Sequence, residues 1–381
     1  MPDDRTCAAP LPTNEADRIN RIAFASLKGM KIGIARQLLE RVPDENTFFS
    51  ASATQLSALF GSTSKLFDKD LRLSAIDIAR EELRYISSSN IRPLYYKESD
   101  FPRRLDSCDD APALVYALGD CNLNCRHSIA IVGTRHATPY GVGFVERLVS
   151  DIAQALPGTL IVSGLAYGID VAAHKAALRS GLPTVGVLAH GLSIIYPSAH
   201  RQIAADMVHN GGMLLTEYLH DAPVHRGNFL ARNRLIAGLA DCTIVVESAE
   251  KGGALVTAGI AQSYDRDVFA LPGRISDPYS KGCNKLISSN GAALIQDAED
   301  LMTGMGWMQE RTSHGVQKEI FTEYTEREQK VIEYISENGE GQINAMAIAL
   351  NTPMHRLMAL LVDMEFKGYI TTYPGGRYRL A

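Results

Sequence analysis

Five groups of small, basic and polar residues lie in the middle of the sequence, each in the turn or helix that follows a predicted strand. Glycines in a strand-to-helix turn let backbone N–H groups approach an anion closely, and the helix dipole favours negative charge there. Arginine and lysine side chains beside such turns add positive charge, so the groups predict a crevice that binds phosphate. The groups are Gly133-Thr134-Arg135; Ser163-Gly164 with Gly168, Asp170, His174 and Lys175; His190-Gly191 with Tyr196; Phe229 with Arg232-Asn233-Arg234; and Lys251-Gly252-Gly253 with Thr257, Gly273, Lys281 and Asn284.

Strands and helices alternate from residue 128 to residue 302, and this alternation positions the five groups. Short apolar strands that alternate with helices are typical of a mostly parallel sheet covered on both faces, so we predict an α/β fold. Right-handed crossovers bring the carboxyl ends of such strands to one edge, where ligands bind. The predicted strands are 129–132, 160–163, 184–189, 213–216, 243–247, 267–271 and 292–296, and the predicted helices are 140–156, 170–180, 198–209, 228–239, 253–264 and 281–289.

A helical region precedes the α/β region. Its apolar pattern predicts four helices, and the small-residue turn 27–33 between the first two resembles a helix-hairpin-helix. The turn amides of such a hairpin can meet a nucleic-acid phosphate, but many short hairpins only pack, and both interpretations stand. Residues 92–96 and 113–118 predict two short strands in a segment that packs against the α/β domain. The four predicted helices are 18–26, 34–41, 53–59 and 74–87.

The last part of the chain predicts a small module of three helices followed by a two-stranded hairpin. This order resembles a winged helix, an architecture that binds DNA in some proteins and docks other proteins elsewhere. The basic groups of its third helix are few, and Asp363 and Glu365 oppose them, which disfavours direct DNA binding. The predicted helices are 326–337, 343–350 and 352–367, and the predicted strands are 369–372 and 377–380.

These patterns divide the 381 residues into five parts. We predict a disordered tail (1–14), a helical domain of helix-hairpin-helix or SAM-like type (15–90), the α/β domain (91–303), a polar linker (304–322) and a winged-helix-like domain (323–381).

Composition narrows the class of protein. The net charge of −5 excludes a protein that is basic over its whole surface, although a local basic cleft fits it. Six irregularly spaced cysteines do not form a secreted disulfide framework. Cys121, Cys125 and His127 lack the usual spacing of a zinc site, so reduced thiols are favoured over a metal. The sequence shows no signal peptide and no apolar run of about 18 residues. We therefore expect a cytoplasmic protein without a membrane segment, metal or cofactor.

Three familiar kinds of catalytic or nucleotide site are poorly supported. No G-x-G-x-x-G follows the first strand of the α/β region, and the second strand does not end in an acid that could hold a ribose. The absence of G-x-x-x-x-G-K-[ST] argues against a P-loop ATPase. Ser163 lacks the G-x-S-x-G elbow of a hydrolase, and a histidine on a helix, such as His174, is more often structural.

Six stretches of the chain resemble, in order, the signature of the bacterial DNA-processing protein A family, also called Smf. The resemblance covers roughly residues 95 to 295, and the helical start and winged-helix-like end resemble the long form of the family. Two departures are Lys251-Gly252-Gly253, where many members have Ser-Gly-Ser, and Leu230, which replaces a common proline. The six stretches are IVGTR, SGLAYGIDVAAHKAAL, HGLSIIYP, FLARNRLIAGL, VVESAEKGGALVTA and ALPGRISDPYSKGCNKLI.

The resemblance implies an extended Rossmann domain that binds single-stranded DNA and forms a homodimer. It also implies a role in loading the RecA recombinase onto incoming DNA during natural transformation, and no established catalytic activity. The residues that we predict to contact DNA are Gly133, Thr134, Arg135, Ser163, Gly164, Gly168, Lys175, Gly191, Arg232, Asn233, Arg234, Gly252, Gly253, Thr257, Lys281 and Asn284.

The residue types support single-strand binding without the resemblance. A flexible strand needs fixed donors for successive phosphates and flat faces on which bases stack. Tyr167, Tyr196 and Phe229 offer such faces, with packing in the core or at the rim as the alternative.

The arginines also have two interpretations each. Arg135 projects over the crevice or braces its turn through a salt bridge, and Arg232 and Arg234 contact phosphate or form internal salt bridges. The candidate acid partners are Glu217 and Asp170 for Arg135, and Glu217 and Glu247 for the other two.

A nucleotide-processing enzyme on a related Rossmann fold, such as a nucleoside monophosphate phosphoribohydrolase, is the alternative function. That group carries a P-G-G-x-G-T-x-x-E run whose glutamate does the chemistry. Here Arg274 and Ile275 follow Pro272-Gly273, and Glu247 precedes a glycine turn without the rest of the run. Release of base from nucleoside monophosphates would favour the enzyme.

Overall fold

The structure, a computed structural model, describes residues 14–307, 324–367, 369–373 and 376–380. The chain divides into two compact units, residues 1–308 and 309–381. The helical region and the α/β region both belong to the first unit. Most of the predicted tail and of the predicted linker lies outside the described residues.

Capping side chains set the starts of the helices in the first part of the chain. Asn14, Asp44, Ser52 and Asp68 each accept a hydrogen bond from the backbone N–H three residues further on. The cap at Asp68 starts its helix before the predicted position, residue 74. The helices are α1 (Glu15–Ser26), α2 (Ile32–Leu39), α3 (Glu45–Ser50), α4 (Ala53–Phe60) and α5 (Lys69–Ser87), with a 3₁₀ turn at Lys65–Phe67. The short α3 lacks a clear apolar period and was not predicted.

The turn between α1 and α2 packs against the α/β region. The N–H groups of Ile32 and Gly33 donate to the carbonyl oxygens of Ala111 at 2.8 Å and Asp109 at 3.2 Å. Donors that are already bound inside the protein are not free for a phosphate. The structure therefore favours the packing interpretation of the predicted hairpin.

A mostly parallel nine-stranded sheet forms the centre of the first unit, in the order β1-β2-β6-β5-β4-β3-β7-β8-β9. The strands are β1 (Ile91–Tyr95), β2 (Leu114–Gly119), β3 (Ser128–Gly133), β4 (Leu160–Ser163), β5 (Thr184–Val187), β6 (Met213–Thr216), β7 (Cys242–Val246), β8 (Asp267–Ala270) and β9 (Ala293–Leu294). Only β2 pairs antiparallel, with β1 and β6, and the other neighbours are parallel. The predicted α/β fold class is confirmed. The two strands predicted before the α/β core form one edge of the sheet.

Helices cover both faces of the sheet. Successive residues of β3 point to opposite faces, so Ile129 and Ile131 join one apolar core and Ala130 and Val132 join the other. This double burial explains the unbroken apolar run of the strand. The helices of this region are α6 (Arg103–Asp106), α7 (Pro139–Ala155), α8 (Ile169–Arg179), α9 (Arg201–His209), α10 (Arg226–Gly238), α11 (Gly253–Ser263), α12 (Lys281–Ser288) and α13 (Ala298–Gly304).

The direction of chain progression reverses at β3. From β3 the chain moves outward through β4, β5 and β6, and then crosses to β7 on the other side of β3. The helices that follow β3 and β7 therefore diverge to opposite sides of the sheet. A crevice opens between them outside the carboxyl ends of the strands, which is the usual ligand position in such sheets.

The second unit has the predicted three helices and hairpin. The first helix starts with a capping box between Thr325 and Glu328. Leu357, Leu361 and Met364 on the third helix are buried in a small apolar core. The elements are α14 (Glu326–Asn338), β10 (Gly341–Gln342), α15 (Ile343–Ala349), α16 (Met354–Phe366), β11 (Ile370–Tyr373) and β12 (Arg377–Leu380). The unpredicted β10 adds a third strand to the hairpin, in the order β10-β12-β11.

No single helix in the described parts of the chain is long and apolar enough to cross a membrane. Taken together, the helices Ile343–Ala349 and Met354–Glu365 have the length and apolar composition of a membrane span. They are bent by 114° relative to each other.

Candidate nucleic-acid interface

A cleft of about 270 Å³ opens at the carboxyl edge of the sheet, where the strand order reverses between β3 and β7. The turns after β3, β4 and β7 and one side of α10 form its walls. Half of the predicted contact residues line it: Gly133, Thr134, Arg135, Arg232, Asn233, Gly252, Gly253 and Thr257.

Close glycine packing joins the turns after β3 and β4 into one wall. A Cβ atom on Gly133 would lie 2.6 Å from the side chain of Ile169, the first residue of α8, and one on Gly168 would lie 2.2 Å from the carbonyl oxygen of Thr134. Gly168 also has a φ of 78°, which side chains disfavour. The N–H of Ile169 donates to the Thr134 carbonyl at 3.2 Å. Gly168 thus allows the two turns to pack together. A bound nucleic-acid strand would contact the turn after β3, which Gly168 supports.

Arg135 lies exposed at the mouth of the cleft. Its guanidinium carbon is 5.4 Å from the ring centroid of Phe229, and that ring meets Tyr196 edge-to-face at 5.8 Å. Among the described residues no carboxylate pairs with Arg135, so the structure does not support a bracing salt bridge to Glu217 or Asp170. A guanidinium on an aromatic face keeps donors available for an anion.

Arg232 is buried beneath the cleft, with 3% of its surface exposed. Its guanidinium donates to the carbonyl oxygens of Gly164, at 2.8 Å, and Val187. Burial lowers the pKa of Arg232, and the charge of Asp170 opposes that shift. These contacts favour an internal role for Arg232, and the direct phosphate contact stays a prediction. The internal role also explains Gly164, where a Cβ would lie 2.2 Å from the same guanidinium.

Asp170 occupies the anion position of the turn after β4. Its carboxylate accepts hydrogen bonds from the N–H groups of Gly164 and Ala166, the latter at 3.4 Å. Burial raises the pKa of Asp170, while the charge of Arg232 and these hydrogen bonds act against the rise. Because a carboxylate already fills the turn, a phosphate would bind nearer Arg135 than to the predicted Ser163-Gly164 amides.

Two further predicted contacts are internal. Arg234 forms an ion pair with Glu217, and both side chains are largely buried. Burial raises the pKa of Glu217, and the charge and hydrogen bond of Arg234 act against this rise. The hydroxyl of Ser163 is buried and donates to the carbonyl of Ile131 at 2.6 Å. The salt-bridge interpretation therefore describes Arg234, and Ser163 joins β4 to β3.

The remaining predicted contacts lie outside the cleft lining. A Cβ on Gly191 would lie 2.1 Å from a carbonyl oxygen in the loop after β6, so this glycine permits loop packing. The side-chain amide of Asn284 holds Gly273 through two hydrogen bonds, at 3.1 and 2.9 Å. Lys175 and Lys281 are exposed but do not line the cleft.

The turn between β7 and α11 forms the third wall. Gly252 is the N-cap of α11 and supplies no side-chain cap, and Gly253 is exposed with open space around its Cα. The first N–H groups of a helix lack partners within the helix and attract anions. Buried Thr257 lies one turn further along α11. Because Gly253 has no hydroxyl, the hydrogen-bond donors at this end of the cleft are backbone N–H groups.

Sequence patterns missed most of the small and apolar part of the lining, although they singled out Phe229 as a stacking face and Asp170 in the second group. Small and apolar side chains carry no chemical signature, so only their place beside Phe229 or the glycine turns pointed to them. The lining residues outside the predicted set are Val132, Ala166, Asp170, Phe229, Leu230, Ile236, Ser248, Ala249 and Ala254.

Glu247, the candidate acid of the alternative enzyme, has a structural role. It is 4% exposed, and its carboxylate accepts hydrogen bonds from the N–H of Thr138, at 2.8 Å, and from the Thr138 hydroxyl. These bonds hold the turn before α7, and Glu247 does not line the cleft. Within the described residues no three His, Cys, Asp or Glu side chains form a metal-binding group.

The fold and site define a Rossmann-type α/β protein with a candidate ligand cleft at its topological switch point. The family described as DNA recombination-mediator protein A matches residues 92–306. That match covers more than half of the chain, and the chain belongs to this family, as its sequence motifs predicted.

Individual relatives agree with this assignment. The DNA processing protein DprA of Bacillus subtilis is 41% identical over 213 residues, which cover 56% of this chain and 70% of that protein. The X-ray structure of DNA processing protein A from Streptococcus pneumoniae has a TM-score of 0.61 and 29% identity, covering 75% of this chain and 96% of that one. The Helicobacter pylori protein, solved for its single-stranded DNA binding mode, has a TM-score of 0.51 and 31% identity and covers 57% of this chain and 96% of that chain.

Proposed function

We propose that this protein is a single-stranded-DNA-binding mediator of recombination with no catalytic step of its own. It loads a RecA-type recombinase onto incoming DNA during natural transformation, and it acts as a homodimer in the cytoplasm. Family membership supports the recombinase and dimer parts of this proposal. The geometry of the cleft supports the DNA-binding part.

The exposed position of Arg135 carries the DNA-binding proposal. Arg232 and Arg234 are used inside the protein, whereas Arg135 has no carboxylate partner among the described residues. Its planar guanidinium suits a phosphate, which it can hold with two parallel hydrogen bonds. The N-terminus of α11 faces the same cleft and would receive a neighbouring phosphate or the same one.

The aromatic rim offers a place for bases. Tyr196 is 46% exposed, and Phe229 is partly exposed between it and Arg135. Aromatic faces bind any base, so contacts of this kind favour unpaired strands without reading their sequence. A strand would then place its phosphates toward Arg135 and its bases toward the Phe229 and Tyr196 rings.

Titration of a labelled poly-dT oligonucleotide against the Arg135→Ala protein tests the proposal. We expect a loss of about 1–3 kcal/mol in binding free energy, because one charge-assisted hydrogen-bonding group is removed. Arg135→Lys should recover part of the loss, and Lys175→Ala should lose less, because Lys175 lies outside the cleft lining. The melting temperature should not change, since an exposed arginine contributes little to the core.

Arg179→Ala is the matched control, because Arg179 is an exposed arginine whose ion pair with Glu146 lies on helices α7 and α8. Equal losses for Arg135→Ala and Arg179→Ala would contradict a specific role of the cleft. A destabilised Arg135→Ala protein with normal affinity per folded molecule would show that Arg135 only braces the turn. Base release from nucleoside monophosphates would instead support the enzyme alternative.

A further inference from the structure

We propose that a groove on the helical part of the first unit binds an acidic amphipathic helix of a partner protein. The groove, called here the α5 groove, has a volume of about 310 Å³. It runs along α5 between the end of α1 and the 3₁₀ turn at Lys65–Phe67, and Leu219 of the α/β region closes one end. The nucleic-acid cleft shares no residue with it.

The floor of the α5 groove is an open apolar face of α5. Leu71, Ser74, Ala75 and Ile78 lie on it at helical spacing, and Leu71 and Ile78 are 53% and 42% exposed. The adjoining face of α5, which shares Ala75 with the floor, is buried against the rest of the helical region, so α5 presents apolar surface on two neighbouring sides. Only one of these sides is covered within the described chain.

The two charged residues that line the groove are both basic, while the exposed Asp70 and Asp77 of α5 lie outside the lining. Lys28 and Lys65 line the groove, and no acidic residue does. Neither lysine forms an ion pair within the described residues. A partner that places leucines or similar side chains on the floor would therefore gain further stability from glutamates or aspartates beside the two lysines.

The dimensions select a helix as the occupant. Leu71 and Ile78 are seven residues apart, or about 10 Å along the axis at 1.5 Å per residue, which matches two turns of a partner helix. Helix-in-groove binding uses apolar anchors at spacings of three, four and seven residues, and the floor of this groove repeats them. A second copy of this chain fits less well, because a stable dimer buries about 800 Å² on each partner and this groove is only two turns long.

A synthetic peptide pair provides the test. One fluorescein-labelled helical peptide carries leucines at i, i+4 and i+7 with glutamates on both flanks, and its twin carries lysine in place of each glutamate. In anisotropy titrations with the full-length protein we expect the glutamate peptide to bind at least about tenfold more tightly than its twin, a difference of about 1.4 kcal/mol. The double variant Lys28→Glu/Lys65→Glu should reverse that preference.

Leu71→Ser/Ile78→Ser should weaken glutamate-peptide binding about tenfold or more, because it removes the apolar anchors. Leu73→Ser is the control, since Leu73 is 49% exposed on the same helix but does not line the groove. It should bind the peptide as the unmodified protein does, and oligonucleotide affinity should stay the same in all variants.

Three results would overturn the proposal. The first is equal binding of the two peptides, and the second is equal loss in the Leu73→Ser and Leu71→Ser/Ile78→Ser proteins. The third is a dimer in sedimentation that Leu71→Ser/Ile78→Ser abolishes, which would identify a second copy as the occupant. Circular dichroism melts of each variant confirm that the binding changes are not unfolding.

Discussion

Three arginines of the cleft region differ in how deeply they are buried, and each therefore has a different role. Arg135 is exposed over an aromatic ring, Arg232 is tied to two carbonyl oxygens, and Arg234 is paired with Glu217. All three have the same donors and charge. Their surroundings decide whether that charge faces solvent, where it can meet DNA, or neutralises groups inside the protein.

Exchange of Arg232 should therefore affect stability more than binding. We expect Arg232→Met to lose about 3–5 kcal/mol of unfolding free energy, because it leaves two buried carbonyl groups without their donor and removes the charge that opposes the desolvation of Asp170. Chemical denaturation and oligonucleotide titration on one preparation would measure both effects. Arg179→Met, which changes an exposed arginine, should stay within about 0.5 kcal/mol of the unmodified protein. A stable Arg232→Met protein that no longer binds DNA would support the predicted direct contact.

His174 should make the first unit sensitive to acid. It is fully buried, its Nδ1 shares a hydrogen bond with the Thr184 hydroxyl at 2.7 Å, and burial, with nearby His200 and Arg232, lowers its pKa from 6.5 to about 3. At mildly acidic pH, His174 therefore binds a proton in the unfolded chain but not in the folded protein. Stability from this group is complete above about pH 6.5 and is lost as the pH falls toward 3, by up to about 1.4 kcal/mol per pH unit.

The slope of denaturation midpoints between pH 6.5 and pH 5 measures this effect. His174→Asn, which removes the titrating group, should have a shallower slope than the unmodified protein. His136→Asn changes an exposed histidine and should keep the full slope. Equal slopes in all three proteins would mean that other groups cause the acid sensitivity.

Contact between turns is the main structural requirement at the scale of elements. The turn after β4 supports the turn that presents Arg135, and Gly168 allows their close approach. Each turn by itself would be an ordinary strand-to-helix connection. Their packing makes a single wall, so we expect a glycine outside the cleft lining to affect binding.

Gly168→Ala should therefore damage both stability and binding. The added Cβ would lie 2.2 Å from the Thr134 carbonyl in a backbone with a φ of 78°, and we expect a loss of about 3 kcal/mol or more with weaker oligonucleotide binding. Gly181→Ala is the matched control, since Gly181 has a φ of 68° but no atom within 4 Å of the added Cβ. It should lose about 1–2 kcal/mol from backbone strain and keep normal affinity. Equal losses would show that the contact with Thr134 is unimportant.

The third helix of the second unit exposes apolar side chains beside its basic residues His355 and Arg356. Met354, Met358 and Val362 are exposed along one side of α16 at a spacing of four residues. Lys367 at its end is paired with Glu328 and Asp363. An apolar stripe and a neutralised lysine agree with the sequence-based view that disfavours direct DNA binding by this unit.

At the scale of the whole molecule, the proposed function requires an acidic protein to bind an acidic polymer through a small local site. The net charge is −5, whereas the mouth of the cleft carries the exposed Arg135 and the positive end of α11. Few phosphates can be neutralised by such a site. Its affinity should therefore depend on salt less steeply than that of a broadly basic protein.

We predict that single strands bind more tightly than duplex of the same length, and that base sequence matters little. In a salt titration, the slope of log affinity against log salt should be about −0.7 for each phosphate contacted on a single strand. Arg135→Ala should reduce that slope by about 0.7, because one contact is lost. Equal affinity for duplex and single strand, or an unchanged slope, would contradict binding at the cleft.

The sequence by itself determined the fold class and the edge of the sheet where the candidate site lies. Unbroken apolar runs such as 129–132 require burial on both faces, and glycine turns directly after them mark the carboxyl ends of the strands. Both signals are local, because they arise from neighbouring residues along the chain. The family motifs depend on the same local order, and Arg135 was identified by its place in the first of them.

Tertiary structure alone decided which of the predicted groups are open to a ligand. The chain does not reveal that Asp170 fills the turn after β4, that Arg232 turns inward, or that Glu217 takes Arg234. These outcomes depend on which side chains from distant segments meet in the interior, and a buried charge must find its partner there. Residue type and spacing specify what each group is able to bind, but only the packing of the chain decides what it does bind.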